Sequence, residues 1–323
     1  MELDLNEVIK TTNAKVLKNE TSLEKIGVST DTRTIKNGDI FIPIKGENFD
    51  GENFIENALN NGAEGYFTRN DKIFDNAKIV LKVEDTLTAY LEMAKLCRTN
   101  INPKVIAITG SSGKTTTKEM MYSVCSQAFK THKTSKNHNN EIGFCQTMFE
   151  MPVDTEVLIV EMGMRGFGEI ELLSKYANPD ISIITNAGTA HIGRLGSKEN
   201  IAKAKCEITK YQKPDGVFIT EENPMVEKIV DFEGEKIFCK LNDVEFLEKK
   251  PEYTKFSYKG NIFEINISGE YNVKDAIECI EAAFALGMEL KDIQNGLKEY
   301  KNIEKSFVFI PETPVSIPET GRE

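Results

Sequence analysis

Histidine is scarce in this sequence, three in 323 residues, and its six cysteines never fall in closely spaced pairs. Scattered as Cys97, Cys125, Cys145, Cys206, Cys239 and Cys279, they offer neither a disulfide framework nor a zinc site. No apolar run approaches membrane-spanning length, and the opening Met1-Glu2-Leu3-Asp4 is acidic where a secretory leader would be basic. Positive charge is in deficit too. The formal net charge of -11 leaves nothing to offset repulsion from a phosphate backbone, which excludes general nucleic-acid binding. The expectation is a cytoplasmic protein with reduced thiols, engaging neither nucleic acid nor membrane. Nucleotides stay open, because a phosphate loop needs only local N–H donors and one lysine.

What is present suits a soluble protein of two ordinary domains: 40% hydrophobic and 28% charged residues, with no internal repeat. Residues 1–84 read as a small α/β unit, with strands at Asp39 to Ile44, Tyr66 to Thr68 and Ile79 to Leu81, and a helical stripe through Ile55, Ala58 and Leu59 ended by Gly62. A helix marked by Leu87, Leu91 and Ala94 opens a second unit, residues 85–303. There the apolar runs Val105 to Ile108, Val157 to Val160, Ile181 to Ile184 and Gly216 to Ile219 alternate with helical patterns. Short runs apolar on both faces predict a mostly parallel sheet covered on both sides, hence an α/β fold. Lys255 to Tyr258 and Ile262 to Ile267 predict a hairpin, on the sheet edge or as a small appended sheet. Helices follow near Val273 to Leu286 and Leu290 to Tyr300, and the proline-rich stretch 304–323 reads as a linker.

The strongest chemical signal is Gly110-Ser111-Ser112-Gly113-Lys114-Thr115-Thr116, set between a buried strand and a helix. Glycines let backbone N–H groups turn toward phosphate oxygens, and a first helical turn has N–H groups to spare. Lys114 would carry charge to the β and γ phosphates, and Thr115 would offer a hydroxyl to magnesium. The long form of this motif has four residues between its glycines, and here there are two. A plain Ser/Gly helix-capping turn would not explain a lysine in the first turn, where it opposes the helix dipole.

Other candidates stand at strand tips. Glu161 ends an apolar run, where open sheets place ligands, and reads as a magnesium holder or a solvated strand end. His191 follows the run ending at Ile184 and reads as a ligand or a satisfied polar residue. Lys205 shares a buried helical stripe with Ile201 and Ile208. It snorkels out, is paired, or is modified, and a carbamate there would turn the cation into a magnesium-binding anion. Asn137, Asn139 and Asn140 suit a substrate-ordering loop or an exposed turn. Asp31, Thr32 and Arg33 pair locally or meet a ligand's phosphate or sugar.

Together these stretches resemble the Mur ligases: Gly110 to Thr116; Lys133-Thr134 through Asn139-Asn140-Glu141-Ile142-Gly143; Glu161-Met162-Gly163-Met164-Arg165-Gly166 with Gly168-Glu169-Ile170; and Asn186 through His191 to Ser197. Asp31-Thr32-Arg33, Gly38-Asp39, Phe41 and Gly46-Glu47-Asn48-Phe49-Asp50-Gly51 resemble the same family's uridine-nucleotide-binding domain. The resemblance is nearest to the type joining D-alanyl-D-alanine to a UDP-N-acetylmuramoyl tripeptide. It implies an N-terminal UDP-substrate domain, a central ATP-binding domain with magnesium, and amide formation through an acyl phosphate in peptidoglycan synthesis. By residue, it implies Lys114 on the transferring phosphate, Thr115, Glu161 and His191 about the metals, a carbamylated Lys205, and Asn272 near the adenine.

The sequence departs from the family at Tyr271, where a histidine is usual, and at Asp275, where an asparagine is. Glu52 stands for a histidine, Lys136 for a glycine and Cys145 for a proline. The family's third domain closes over ATP, and this chain stops where that domain would begin. The expectation is a shortened ligase or one completed by a separately encoded C-terminal domain; the alternative is a non-catalytic paralogue that binds nucleotide or UDP-peptide.

Overall fold

The computed structural model describes residues 2–46 and 49–301. Glu47 and Asn48 of the first-domain motif and the linker reading of 304–323 therefore lie outside the described residues. The chain opens with β1 (Leu3–Asp4), α1 (Leu5–Thr11), β2 (Lys15–Asn19), β3 (Lys25–Ser29), β4 (Asp39–Phe41), α2 (Ile55–Asn60), β5 (Gly65–Thr68) and β6 (Ile79–Lys82). These strands form one mixed sheet in the order β1-β3-β4-β5-β6-β2. Its middle is parallel, and the outer strands β1 and β2 run antiparallel to their neighbours.

Next come α3 (Thr86–Ile101), β7 (Lys104–Thr109), α4 (Lys114–Cys125), β8 (Thr131–Lys133), α5 (Glu141–Glu150), β9 (Val157–Glu161), α6 (Glu169–Ala177), β10 (Ile181–Ile184), α7 (Ile192–Leu195), α8 (Lys198–Cys206), β11 (Val217–Glu221), α9 (Pro224–Ile229) and β12 (Glu235–Cys239). Helix α3 starts where Asp85 caps it by accepting the Thr88 N–H, and ends at Asn102 in the left-handed region, just before Pro103. The second sheet is parallel throughout, in the order β12-β11-β10-β7-β9-β8. Register puts Ile106 of β7 between Ile159 of β9 and Ile181 of β10.

Strand residues alternate between two cores, as a pleat requires. Ile106, Ile108, Ile159 and Ile183 pack in one cluster with Met121 and Val124 of α4. Val105, Ala107, Leu158, Val160 and Ile184 face the other, with Leu91 of α3, Phe144 of α5 and Leu173 of α6. Both faces are covered, which is why these strands read as unbroken apolar runs.

A separate antiparallel sheet of β13 (Val244–Lys249), β14 (Thr254–Tyr258) and β15 (Asn261–Ile265) follows. The hairpin thus belongs to an appended sheet. Its turn is shorter than the sequence suggested: Tyr258 pairs with Asn261, leaving Lys259 and Gly260, both at positive φ. Helices α10 (Glu270–Ala285) and α11 (Leu290–Glu299) end the described chain, packed on α4. Among the described residues, no helix is long and apolar enough to cross a membrane.

Candidate functional site

Strand order reverses around β7. The chain crosses to β8 and β9 on one side, then to β10 and β11 on the other. Such a switch opens a crevice beyond the carboxyl ends of the central strands. Three strand ends meet there: Gly110 after β7, Glu161 ending β9, and Thr185-Asn186 after β10.

Asn186 holds the glycine loop. Its carbonyl accepts the Ser111 N–H (3.1 Å), its Oδ1 accepts the Ser112 N–H (3.1 Å), and its Nδ2 donates to Ser112 Oγ (3.0 Å). Ser111 Oγ in turn accepts the Gly188 N–H at 3.0 Å. The two serine amides are therefore engaged within the protein. The donors open to a phosphate belong to the first turn of α4, whose cap residue Gly113, at φ +80°, supplies no side-chain cap. Lys114 Nζ folds back onto the Gly110 carbonyl at 2.9 Å. Burial pushes its pKa down, and the Glu161 charge opposes that.

Glu161 is 2% exposed. Its Oε1 accepts from Asn139 Nδ2 (3.0 Å), and its Oε2 from Thr115 Oγ1 (3.2 Å) and Lys118 Nζ (3.2 Å). The Glu161 N–H donates to Thr134 Oγ1 at 3.0 Å, so the asparagine loop is tied to the strand tip. Asn140 closes that loop by capping α5 through the Gly143 N–H.

A cavity of about 330 Å³ lies among these elements. Gly110, Lys114, Asn137, Asn139, Asn140, His191 and Lys205 all border it. Lys205 is 1% exposed, and its pKa falls to about 7 through burial first and the like charge of Lys114 second. His191 is exposed and sits in the left-handed region (φ +66°) at the start of α7. Gly163, Met164, Arg165 and Glu169 complete the lining.

Other candidates stand apart. Asp31 and Arg33 form a bidentate pair (2.9 and 2.7 Å), the local pairing that was one of two readings. With Thr32 they line a second cavity of about 350 Å³, beside Phe49, Phe54 and Gln146. Asp31 also borders a third, of about 680 Å³, which reaches Tyr90, His138 and Phe149. Asn272 lies outside the lining of the 330 Å³ cavity and donates to the Ser268 carbonyl at 2.7 Å. Thr116 follows in the first turn of α4. Among the described residues no group of three or more His, Cys, Asp and Glu is disposed to hold a metal. Thr115 and Glu161 do supply adjacent oxygen donors, the kind magnesium takes.

Sequence reasoning missed Asn186 and Lys118 as structural actors. Asn186 stands at a strand tip by the same rule that singled out His191. Lys118 shares a buried helical stripe with Met121 and Cys125, as Lys205 does with Ile201. Arg165 and Glu169 carried no assigned role.

Residues 108–283 match the model of the Mur ligase middle domain, and residues 26–104 that of the Mur ligase family catalytic domain. Among curated proteins, the UDP-N-acetylmuramoyl-tripeptide–D-alanyl-D-alanine ligase of Bacillus subtilis is 39% identical over 310 residues, covering 92% of this chain and 66% of its own length. The ligase of the same name from Synechocystis is 38% identical over 274 residues, covering 84% of this chain and 60% of its own. The chain thus spans 60–66% of the lengths of these two relatives. Among solved structures, MurF from Acinetobacter baumannii superposes with a TM-score of 0.86 at 30% identity, covering 94% of this chain and 69% of that one. MurF ligase from Thermotoga maritima in complex with ADP gives 0.75 at 27%, covering 83% and 65%.

Proposed function

The chain belongs to the Mur ligase family, and from that premise we propose that it serves the ATP-dependent joining of D-alanyl-D-alanine to a UDP-N-acetylmuramoyl tripeptide. This is cytoplasmic chemistry of peptidoglycan precursor synthesis. The γ-phosphoryl group of ATP passes to the peptide's terminal carboxylate, giving an acyl phosphate and ADP. The dipeptide amine attacks the acyl carbon, phosphate leaves with the C–O bonding pair, and the amine gives up a proton as the amide forms.

The single observation that carries this reading is the 330 Å³ cavity in which Gly110, Lys114, Asn139, His191 and Lys205 converge at the strand ends. In this proposal the free amides of Gly113 to Thr116 hold the phosphates, with Ser111 and Ser112 shaping the loop. Lys114 exchanges the Gly110 carbonyl for the transferring phosphate. Its partial desolvation strengthens that attraction. Asn137, Asn139 and Asn140 order the acceptor peptide, and alignment supplies much of the rate. Residues 1–84, with Asp31, Thr32 and Arg33, take the UDP end; residues 85–303 take ATP, with Asn272 toward the adenine. Thr115 and Glu161 would hold magnesium, joined by His191 and by Lys205 once carbamylated. When bound, the ion supplies neutralisation of phosphate charge.

The test is calorimetric titration of Mg-ATP into the wild-type chain and Lys114→Ala, followed by a mass-spectrometric ligation assay. Micromolar-range binding, about -8 kcal/mol, should be abolished in Lys114→Ala. Unchanged affinity in that variant would end the assignment. The ligation assay is run with the chain alone and with the C-terminal third of a relative supplied. Binding of both ATP and UDP-peptide without amide under either condition would leave the binding-module alternative.

A further inference from the structure

Helix α10 presents acid to the phosphate loop. A Cβ placed on Gly113 would lie 2.8 Å from Asp275 Oδ1, so this carboxyl is packed directly against the loop's last glycine. Asp275 is 7% exposed, and Glu278, one turn on along the same helix, is fully buried. The nearby cation is already committed: Lys274 Nζ bonds Glu221 Oε2 at 2.9 Å.

Among the described residues, Lys274 is the cation that acts on Asp275, and the other groups around it bring little compensating charge. Thr117 of α4 offers only a hydroxyl. Glu221, ending β11, adds a like charge. From α10 itself come Lys274, Glu278 and Cys279, and just beyond α11 stands Tyr300. Cys239 of β12 lies near enough to Glu278 to feel its charge. Burial is the largest influence on Asp275, pushing it up to about 7, and it holds Glu278 well above the ordinary carboxylate range.

We propose that the Asp275 carboxyl is a determinant of nucleotide affinity: uncharged, it seats the phosphate loop without opposing the phosphates, and ionised, it repels them across Gly113. This rests on the phosphate-loop reading above and adds a residue to it. Nucleotide binding then favours the protonated carboxyl, so binding near neutrality takes up a proton. Affinity declines as the pH rises through the carboxyl's titration.

The probe is Mg-ADP, titrated calorimetrically at about pH 6 and about pH 8.5. Wild-type affinity should fall about tenfold between the two, a change of about 1.4 kcal/mol. Asp275→Asn, which keeps the shape and removes the charge, should vary by less than about twofold and bind at least as tightly as wild type at the higher pH. Titration at pH 7 in buffers of different ionisation enthalpy should show net proton uptake by the wild type that is smaller in Asp275→Asn, since Lys205 on the cavity wall also titrates near 7. An unchanged pH slope in Asp275→Asn overturns the proposal, as does a wild type with neither slope nor uptake. Lys114→Ala separates the two readings. If it binds Mg-ATP like wild type, the phosphate-loop reading has failed; if it loses Mg-ATP binding while Asp275→Asn keeps the pH slope with Mg-ADP, only the role of Asp275 has.

Discussion

Lys118 Nζ lies 3.2 Å from Glu161 Oε2, with the two side chains 1% and 2% exposed. The same ammonium donates to the Lys136 carbonyl (3.3 Å) and reaches Glu119 Oε1 (3.4 Å). One buried cation therefore joins α4, the tip of β9 and the asparagine loop. Removing it strands an acid in a dry setting, and the cost of breaking such a pair is about 3–5 kcal/mol. Lys118→Ala is expected to lose stability in that range by denaturant titration. Lys118→Ala combined with Glu161→Ala should lose clearly less than the sum of the single losses. Additive losses would show that the two charges are not coupled.

Lys205 combines deep burial with a place on the cavity wall. Its pKa of about 7 lies below the ordinary 10.5, so the fold holds this proton less tightly than the open chain does. The resulting penalty is fully present below about pH 7, shrinks as the pH rises, and is gone above the ordinary lysine value. At pH 8 the amine is mostly neutral and nucleophilic. Cyanate at that pH is expected to modify Lys205 ahead of the exposed lysines, read by peptide mapping. The rate should drop about tenfold at pH 6. In Lys114→Ala, which lifts the like charge, the midpoint of that pH profile should move upward. A Lys205 that reacts no faster than exposed lysines would refute the shifted pKa.

Gly296 of α11 lies where a Cβ would meet the Val124 Cα at 2.4 Å and the Ser123 carbonyl at 2.8 Å. Ser123 Oγ also donates to the Gly296 carbonyl at 2.7 Å. Both obstacles are backbone or fixed by it, so α11 must lift off α4 to admit a methyl. Alanine's better helix propensity returns about 1 kcal/mol, less than the about 1–3 kcal/mol typical of overpacking. Gly296→Ala is expected to lower the melting temperature; a rise would mean that the helices can part at little cost.

The sequence was legible where one stretch answers to one physical demand. Ile106, Ile159 and Ile183 had to be apolar because helices cover both sides of the sheet. Lys205 stood out because a lysine shared a stripe with two isoleucines. Lys118 carried a comparable stripe signal, but its partner Glu161 is distant in sequence, and only the β7–β9 register brings them together. The contact between Asp275 and Gly113 is more remote still, set by how α10 packs on α4. The strands β1, β2, β3, β8, β12 and β13 escaped detection. Each is short or largely exposed on one face, and pairing with an already formed neighbour holds them extended more than their own pattern does.

Glu207 shows how a residue outside the cavity can govern its wall. Helix α6 begins after Gly168, which sits at φ +83° and gives no side-chain cap. Glu207 supplies the missing acceptor from another segment. Its Oε1 and Oε2 take the Gly168 N–H at 2.9 and 3.0 Å, and Oε2 also takes the Glu171 N–H at 3.3 Å. The turn so fixed carries Glu169, whose Oε2 accepts the Arg165 N–H at 2.7 Å, and both residues line the cavity. Glu207→Ala leaves the α6 amides uncapped, at a cost of about 1–2 kcal/mol. Glu207→Gln keeps one acceptor oxygen and should cost less than half of that. Hydrogen exchange at the amides of residues 165–171 should quicken about tenfold in Glu207→Ala, while the buried β7 and β9 amides exchange as in wild type. Unchanged exchange across 165–171 would mean that the turn holds without Glu207.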